Sequence, residues 1–273
     1  MSPVVGVSVC SDTGMVRQVN EDCALAQDPV FVVADGMGGH ARGDAASRAA
    51  VESLARALRP GSRPTPDDVI QAIDEANAAV RALSGADESG AAVAGTTLTG
   101  VVRVRVPGVV VEQWMIVNVG DSRVYGWDGR DLRRLTVDHS AVQELMDAGL
   151  ITEEQAAAHP ERNVITRALG ADDSVAVDSL LVPEESRQVF LVCSDGLTRE
   201  LSDRRIAEIL AQSSPADAAV ALVAATNEAG GHDNITAIVV ESVTREFAPA
   251  SVETRERLNG VSGRALEDTQ PRG

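Results

Sequence analysis

Residues 95–135 read GTTLTGVVRVRVPGVVVEQWMIVNVGDSRVYGWDGRDLRRL, and this stretch decides the fold. It holds four strand-like runs, Thr96–Val106, Val109–Val119, Arg123–Trp127 and Leu132–Leu135, punctuated by Pro107-Gly108 and Asp128-Gly129. Turns that short join antiparallel neighbours, because a parallel pair needs a crossover of a dozen or more residues. VFVVADG at 30–36 and VFLVCSDG at 189–196 each read as a strand delivering a loop at its carboxyl end, which would also suit a doubly wound parallel sheet. Four strands in a row leave no room for the crossover helices of that architecture. The expected fold is therefore an antiparallel β core with helices packed outside.

Outward from this stretch, Val4–Cys10 and Val30–Ala34 read as strands, the second stopped by Asp35-Gly36. Residues 42–59 and 66–83 carry apolar side chains at helical spacing, the latter after a Pro66-Asp67-Asp68 start signal. Residues 140–158 are helical with a break near Gly149 and Thr152, and 159–175 are irregular. Val175–Val182 and Val189–Cys193 read as strands, 203–212 and 215–229 as helices, and Ile235–Val243 as a closing β-branched strand. One domain is expected over 1–243. Residues 244–273 are polar and aperiodic, the pattern of a linker or a disordered tail.

Composition narrows the function classes. A chain of 273 residues that is 44% hydrophobic can bury a sound core, but only 2% of it is aromatic, so that core should be Val, Leu, Ala and Ile rather than stacked rings. Few aromatics and a net charge of −17 argue against nucleic-acid partners and against anionic membranes. Cys10, Cys23 and Cys193 are odd in number and in no metal-binding spacing, which fits a reducing compartment. No segment approaches the ~20 apolar residues of a membrane span. A soluble, cytoplasmic protein is expected.

Five aspartates stand at the edges of apolar runs: Asp22, Asp35, Asp121, Asp195 and Asp233. Taken alone, Asp35-Gly36 and Asp195-Gly196 read as turns ending strands. Carboxylates so dispersed, each at a strand end, suggest one shared metal site, and an oxygen-only donor set favours Mg²⁺ or Mn²⁺ over zinc.

The segments that hold them are Asn20-Glu21-Asp22, Ala34-Asp35-Gly36-Met37-Gly38-Gly39-His40, Val119-Gly120-Asp121-Ser122-Arg123, Cys193-Ser194-Asp195-Gly196 and Gly230-Gly231-His232-Asp233-Asn234. In this order and at these spacings the set resembles the metal-dependent protein phosphatases, the PPM or type 2C serine/threonine phosphatases, in their bacterial form. The resemblance covers roughly residues 5–241. It implies an α+β fold, a central β-sandwich of two antiparallel sheets flanked by α-helices on both sides, with a flap at about 140–165. It also implies two Mn²⁺ or Mg²⁺ ions in a cleft at one end of the sandwich.

Residue by residue, Asp35 matches the carboxylate that bridges the two ions, the carbonyl of Gly36 a ligand of one, and Asp195 and Asp233 ligands of the other. Asp22 matches the residue that positions metal-bound water, and Glu21 its acidic neighbour or a solvated loop charge. Asp121 matches a ligand of a third, weaker ion, or a loop aspartate tying a turn; Asn163, on the flap, falls where a side chain can approach that ion. Arg17 corresponds to the phosphate-binding arginine, whose planar guanidinium can grip two phosphate oxygens at once.

The implied reaction is in-line attack on phosphorus by hydroxide from a water between the ions, with no protein nucleophile. Met37 stands where eukaryotic members have a histidine after Asp-Gly, and His40 follows three residues later, as a loop histidine or one assisting through water. His139 and His232 are further candidates for the neighbourhood. The implied substrates are phosphoserine and phosphothreonine proteins, a serine/threonine kinase among them, for a monomeric enzyme. The alternatives are a catalytically silent phosphoprotein-binding regulator and a small-molecule phosphomonoesterase.

Overall fold

Apolar residues on alternating positions set two antiparallel sheets face to face in the computed structural model, which describes residues 4–37, 42–87, 90–92 and 94–244. In chain order the elements are β1 Val4–Asp12, β2 Asp22–Gln27, β3 Val30–Met37, α1 Gly43–Ala57, α2 Pro66–Arg81, β4 Gly85–Asp87, β5 Gly90–Ala92, β6 Gly95–Thr96, β7 Leu98–Val104, β8 Gln113–Val119, β9 Arg123–Trp127, β10 Leu132–Arg134, α3 Ala141–Asp147, α4 Glu153–Ala157, β11 Asp178–Pro183, β12 Arg187–Cys193, α5 Asp195–Glu200, α6 Asp203–Gln212, α7 Ala218–Ala229 and β13 Ile235–Val243. His40 and the 245–273 tail lie outside the described residues.

One sheet runs β1-β13-β12-β9-β10 and the other β11-β8-β7-β3-β2, with β6 beside β3. Their inner faces bury Phe31, Val101, Trp114 and Ile116 from one side against Val124, Phe190, Ile238 and Val240 from the other. The scarcity of aromatics does not keep rings out of this layer. Phe31, Trp114 and Phe190 meet at its centre with centroid separations of 6.0 and 5.4 Å, because sheets packed ~10 Å apart need bulky side chains between them.

Helices cover both outer faces. α1 and α2 lay Ala46, Ala50, Leu54, Val69, Ile73 and Val80 on the β3-β7-β8 side. Thr65 caps α2 reciprocally, its Oγ1 accepting from the Asp68 N–H while its own N–H donates to the Asp68 carboxylate, and Pro66 presets the first turn. On the far side α5, α6 and α7 bury Leu197, Ile206, Leu210 and Leu222 against Leu191, Ala237 and Val239.

Several local features differ from the sequence reading. The strand expected over Val109–Val119 begins only at Gln113, with Val109, Val110 and Val111 exposed in the loop ahead of it. β2 is a strand that the sequence did not announce: its inner positions are Ala24 and Ala26, too small to give a clear alternation. Asp195-Gly196, read as a turn, opens the short helix α5. The link from β8 to β9 is no hairpin; Gly120-Asp121-Ser122 carries the chain from one sheet to the other, with Gly120 at a φ of +113°. That crossing puts Asp121 at the end of the sandwich.

Candidate metal centre

Both sheets send carboxylates to the same end. Asp22 and Asp35 are register partners on β2 and β3, so their side chains stand side by side on one face. Asp195 follows β12 and Asp233 precedes β13, two adjacent strands whose ends coincide. The two pairs are tied across the sandwich by the Ser194 hydroxyl, which donates to Asp22 Oδ2 at 2.8 Å and accepts from the Thr236 N–H at 2.9 Å.

Asp35 is held by backbone and buried threonines. Its N–H donates to Thr97 Oγ1, and its carbonyl accepts from the Thr97 N–H and from Thr96 Oγ1, all at 2.9 Å. Gly36 is needed for close approach. A Cβ there would lie 2.1 Å from the Gly43 carbonyl oxygen and 2.6 Å from that of Glu21, so any side chain would push α1 off the site. Glu21 serves this frame through its backbone: its carbonyl accepts from the Gly36 N–H at 3.1 Å and from Ser47 Oγ at 2.6 Å.

Asn234 fastens the loop that bears Arg17. It is buried, and its Oδ1 accepts from the Glu21 N–H at 2.9 Å while its Nδ2 donates to the carbonyls of Thr13 and Val19 at 3.0 and 2.9 Å. Arg17 then reaches back, its Nη2 donating to Asp233 Oδ2 at 2.9 Å with the side chain 49% exposed at the cleft.

Arg199 enters from α5. Its guanidinium contacts Asp195, lies 3.1 Å from Asp233 Oδ2 and 3.9 Å from Asp121 Oδ2. Among the described residues no three acidic, His or Cys side chains converge closely enough to clasp an ion by themselves; Arg199 stands between three of the aspartates.

The electrostatics of so many acids are unfavourable without cations. Burial, and then the charges of Asp195 and Asp233, push Asp22 up to about 7 against the hydrogen bonds of Thr236 and Ser194. Burial raises Asp35 well above the usual carboxylate range, with Asp22, Asp195, Asp121 and Asp233 adding to it. Asp121 and Asp195 are raised by burial and by neighbouring carboxylates, with Arg199 opposing. Asp22 Oδ1 and Asp121 Oδ1 are buried with no hydrogen-bond partner. Orphaned buried carboxylate oxygens in an all-oxygen cluster are the donor set a hard dication takes, so the residues fit Mg²⁺ or Mn²⁺.

The remaining candidates frame the cluster. His139 Nδ1 accepts from the Gly120 N–H at 3.0 Å, which leaves Nε2 protonated and facing Asp178 Oδ2 at 3.1 Å. It braces the Asp121 turn. His232 is exposed and bonds Glu200 at 2.7 Å. The 140–165 excursion is closed at its base, where Ser140 pairs with Ile165, and Asn163 is exposed on it. Thr97, Ser194, Arg199 and Asn234 had no role in the sequence reading. Only Arg199, four residues after Asp195 on one helix face, carried a spacing signal.

Residues 10–233 match the family described as Protein phosphatase 2C. The chain is 37% identical over 244 residues to the serine/threonine phosphatase stp of Listeria welshimeri, covering 85% of this chain and 93% of that protein. It is 36% identical over 244 residues to protein phosphatase PhpP of Streptococcus pneumoniae, covering 86% and 96%. The crystal structure of the catalytic domain of the phosphatase PstP in complex with two manganese ions superposes with a TM-score of 0.76 at 33% identity, over 89% of this chain and 100% of that one. By the extent of these matches and by its fold, the chain belongs to the protein phosphatase 2C family.

Proposed function

We propose that this chain is a metal-dependent phosphatase of phosphoserine and phosphothreonine proteins, a serine/threonine kinase among its substrates. Asp35, the Gly36 carbonyl, Asp195 and Asp233 would hold two Mn²⁺ or Mg²⁺ ions. The observation that carries this reading is the gathering of Asp22, Asp35, Asp121, Asp195 and Asp233, far apart in sequence, at one end of the sandwich with Arg17 on Asp233. The names of the relatives support it, since stp and PhpP are both described as phosphatases.

When bound, the ions supply positive charge and an activated water for in-line attack on phosphorus. Arg17 presents a planar pair of donors at the rim, matched to two phosphate oxygens. Asp22, clamped by Ser194 and with its second oxygen unpartnered, is placed to accept a proton or a hydrogen bond from water. Thr96, Thr97 and Asn234 hold Asp35 and the Arg17 loop in place, so the cleft is set before substrate arrives.

Hydrolysis of a phosphothreonine peptide with Mn²⁺, with Mg²⁺ and with chelator tests this, with a phosphotyrosine peptide and a sugar phosphate as controls. Metal-dependent release from phosphothreonine, lost in chelator, is expected. Release from the sugar phosphate alone would move the reading to a small-molecule phosphoesterase, and no release at all to a phosphoprotein-binding regulator.

A further inference from the structure

The loop that carries Arg17 also holds large apolar side chains in solvent. Met15 is 71% exposed, and Val16 and Val19 beside it are exposed as well. Single apolar residues on a surface need no explanation, but a group of them around one arginine at the rim of a cleft does. Fraying does not account for it, because the loop is pinned. The Met15 N–H donates to the Gly231 carbonyl at 2.7 Å, the Gly14 N–H donates to Asp12 Oδ1 at 2.8 Å, and Asn234 holds the carbonyls of Thr13 and Val19. Met15 and Arg17 lean on the same segment before β13. The Met15 Cγ would lie 3.0 Å from a Cβ on Gly231, while Arg17 Nη2 reaches Asp233 Oδ2 at 2.9 Å. Positions two residues apart are separated by at most about 7 Å, which is also the reach of two residues of an extended peptide.

We propose that Met15, with Val16 and Val19 around it, determines substrate specificity by receiving an apolar side chain that lies one or two positions from the phosphothreonine. The inference rests on the phosphoprotein reading given above. A substrate whose phosphate is gripped by Arg17 carries its neighbouring residues across this loop, so the occupant of the apolar ledge is the substrate peptide itself. A thioether on a flexible stem adapts to Leu, Ile, Val or Phe alike, which suits an enzyme with several protein targets. An acidic neighbour is disfavoured at the same place. His232, between Gly231 and Asp233, is held by Glu200 at 2.7 Å, Asp233 lies next to it, and the whole chain carries a net charge of −17. Because the Met15 side chain stands in solvent, its replacement leaves the core intact.

The test is kcat/KM of the full chain with Mn²⁺ on short phosphothreonine peptides that carry Leu, Ser or Asp in turn at each of the two positions on either side of the phosphothreonine. A capped single phosphothreonine, which has no neighbours, gives the basal rate. Wild type, Met15→Ser and Met15→Leu are compared, with circular dichroism reporting the fold of each. Wild type should favour Leu over Ser by about 10-fold at one of these positions, the worth of roughly 55 Å² of apolar surface removed from water, and should turn over the Asp peptide more slowly than the Ser peptide. Met15→Ser should reduce the Leu preference to about twofold or less with the basal rate unchanged, and Met15→Leu should keep it. Equal rates on the Leu and Ser peptides in wild type, a preference that survives Met15→Ser, or an equal fall on the capped phosphothreonine would overturn the proposal while leaving the phosphatase reading standing. No release from any of these phosphothreonine substrates by folded wild type would overturn both.

Discussion

Asp22 and Asp35 face each other directly across the β2–β3 ladder, two carboxylates on paired positions of an antiparallel sheet. Like charges so placed destabilise a sheet, and here they stand beside three further aspartates. The arrangement costs stability unless cations offset it. On the proposed two-ion reading, the cluster provides a cation site at the expense of the metal-free state.

Asp35→Asn should therefore separate function from stability. Removing this ligand charge without changing shape is expected to lower turnover at saturating Mn²⁺ by at least about 100-fold, while raising the stability of the chelated protein by about 1 kcal/mol. Steady-state rates and thermal melts in chelator measure the two effects. Wild-type rates in this variant would remove Asp35 from the centre.

Arg17→Ala is expected to raise KM for a phosphopeptide about 10-fold with a smaller fall in kcat, since a charge-assisted hydrogen bond to phosphate is lost and the exposed side chain supports no packing. Melting temperature should stay within a degree or so of wild type. An unchanged KM would assign phosphate binding to another group.

Asn234→Ala should do the reverse in order of magnitude. Three backbone groups, on Thr13, Val19 and Glu21, lose their partner in a buried place. A loss of about 2–3 kcal/mol in unfolding free energy is expected, with KM raised because the loop carrying Arg17 loosens. Full stability with altered KM, or the converse, would separate the loop from the core.

Stability should also depend on pH with a definite sign. Asp22 is held at about 7 in the folded chain against an ordinary value of 3.8, so between those values the folded state holds more protons than the unfolded. Its contribution is complete below about pH 4 and is lost as pH rises through about 7, on the order of a few kcal/mol. Denaturant melts in chelator across this window, wild type against Asp22→Asn, isolate it. Mn²⁺ should act oppositely, stabilising more as pH rises, because binding requires ionised carboxylates. A chelated wild type that gains stability relative to Asp22→Asn over the same window would contradict this.

Most of the fold was legible because its signals are local. The Asp128-Gly129 turn between β9 and β10, the Pro66-Asp67-Asp68 start of α2 and the β-branched run of 235–243 each specify their element without help from distant residues, whereas the start of β8 at Gln113, rather than directly after Pro107-Gly108, does not show in the apolar run Val109–Val111. β2 was not legible because Ala24 and Ala26 pack by tertiary fit rather than by hydrophobicity. That β8 and β9 lie in different sheets was not legible, because nothing in Gly120-Asp121-Ser122 reveals which sheet the next strand joins. At the site the aspartates stood out by residue type, whereas Thr97, Ser194 and Asn234 are common polar residues whose importance lies in burial. Arg199 was hidden for another reason: an arginine in a helical last turn is ordinary, and only the fold brings Asp121 and Asp233 to it.

Anomalous diffraction at the manganese edge from a crystal of the full chain soaked in Mn²⁺ reads the centre most directly. Two peaks bridged by Asp35, with Asp195 and Asp233 on one of them, are the expected result. Peaks elsewhere, or none among these carboxylates at saturating Mn²⁺, would contradict a two-ion centre built from them.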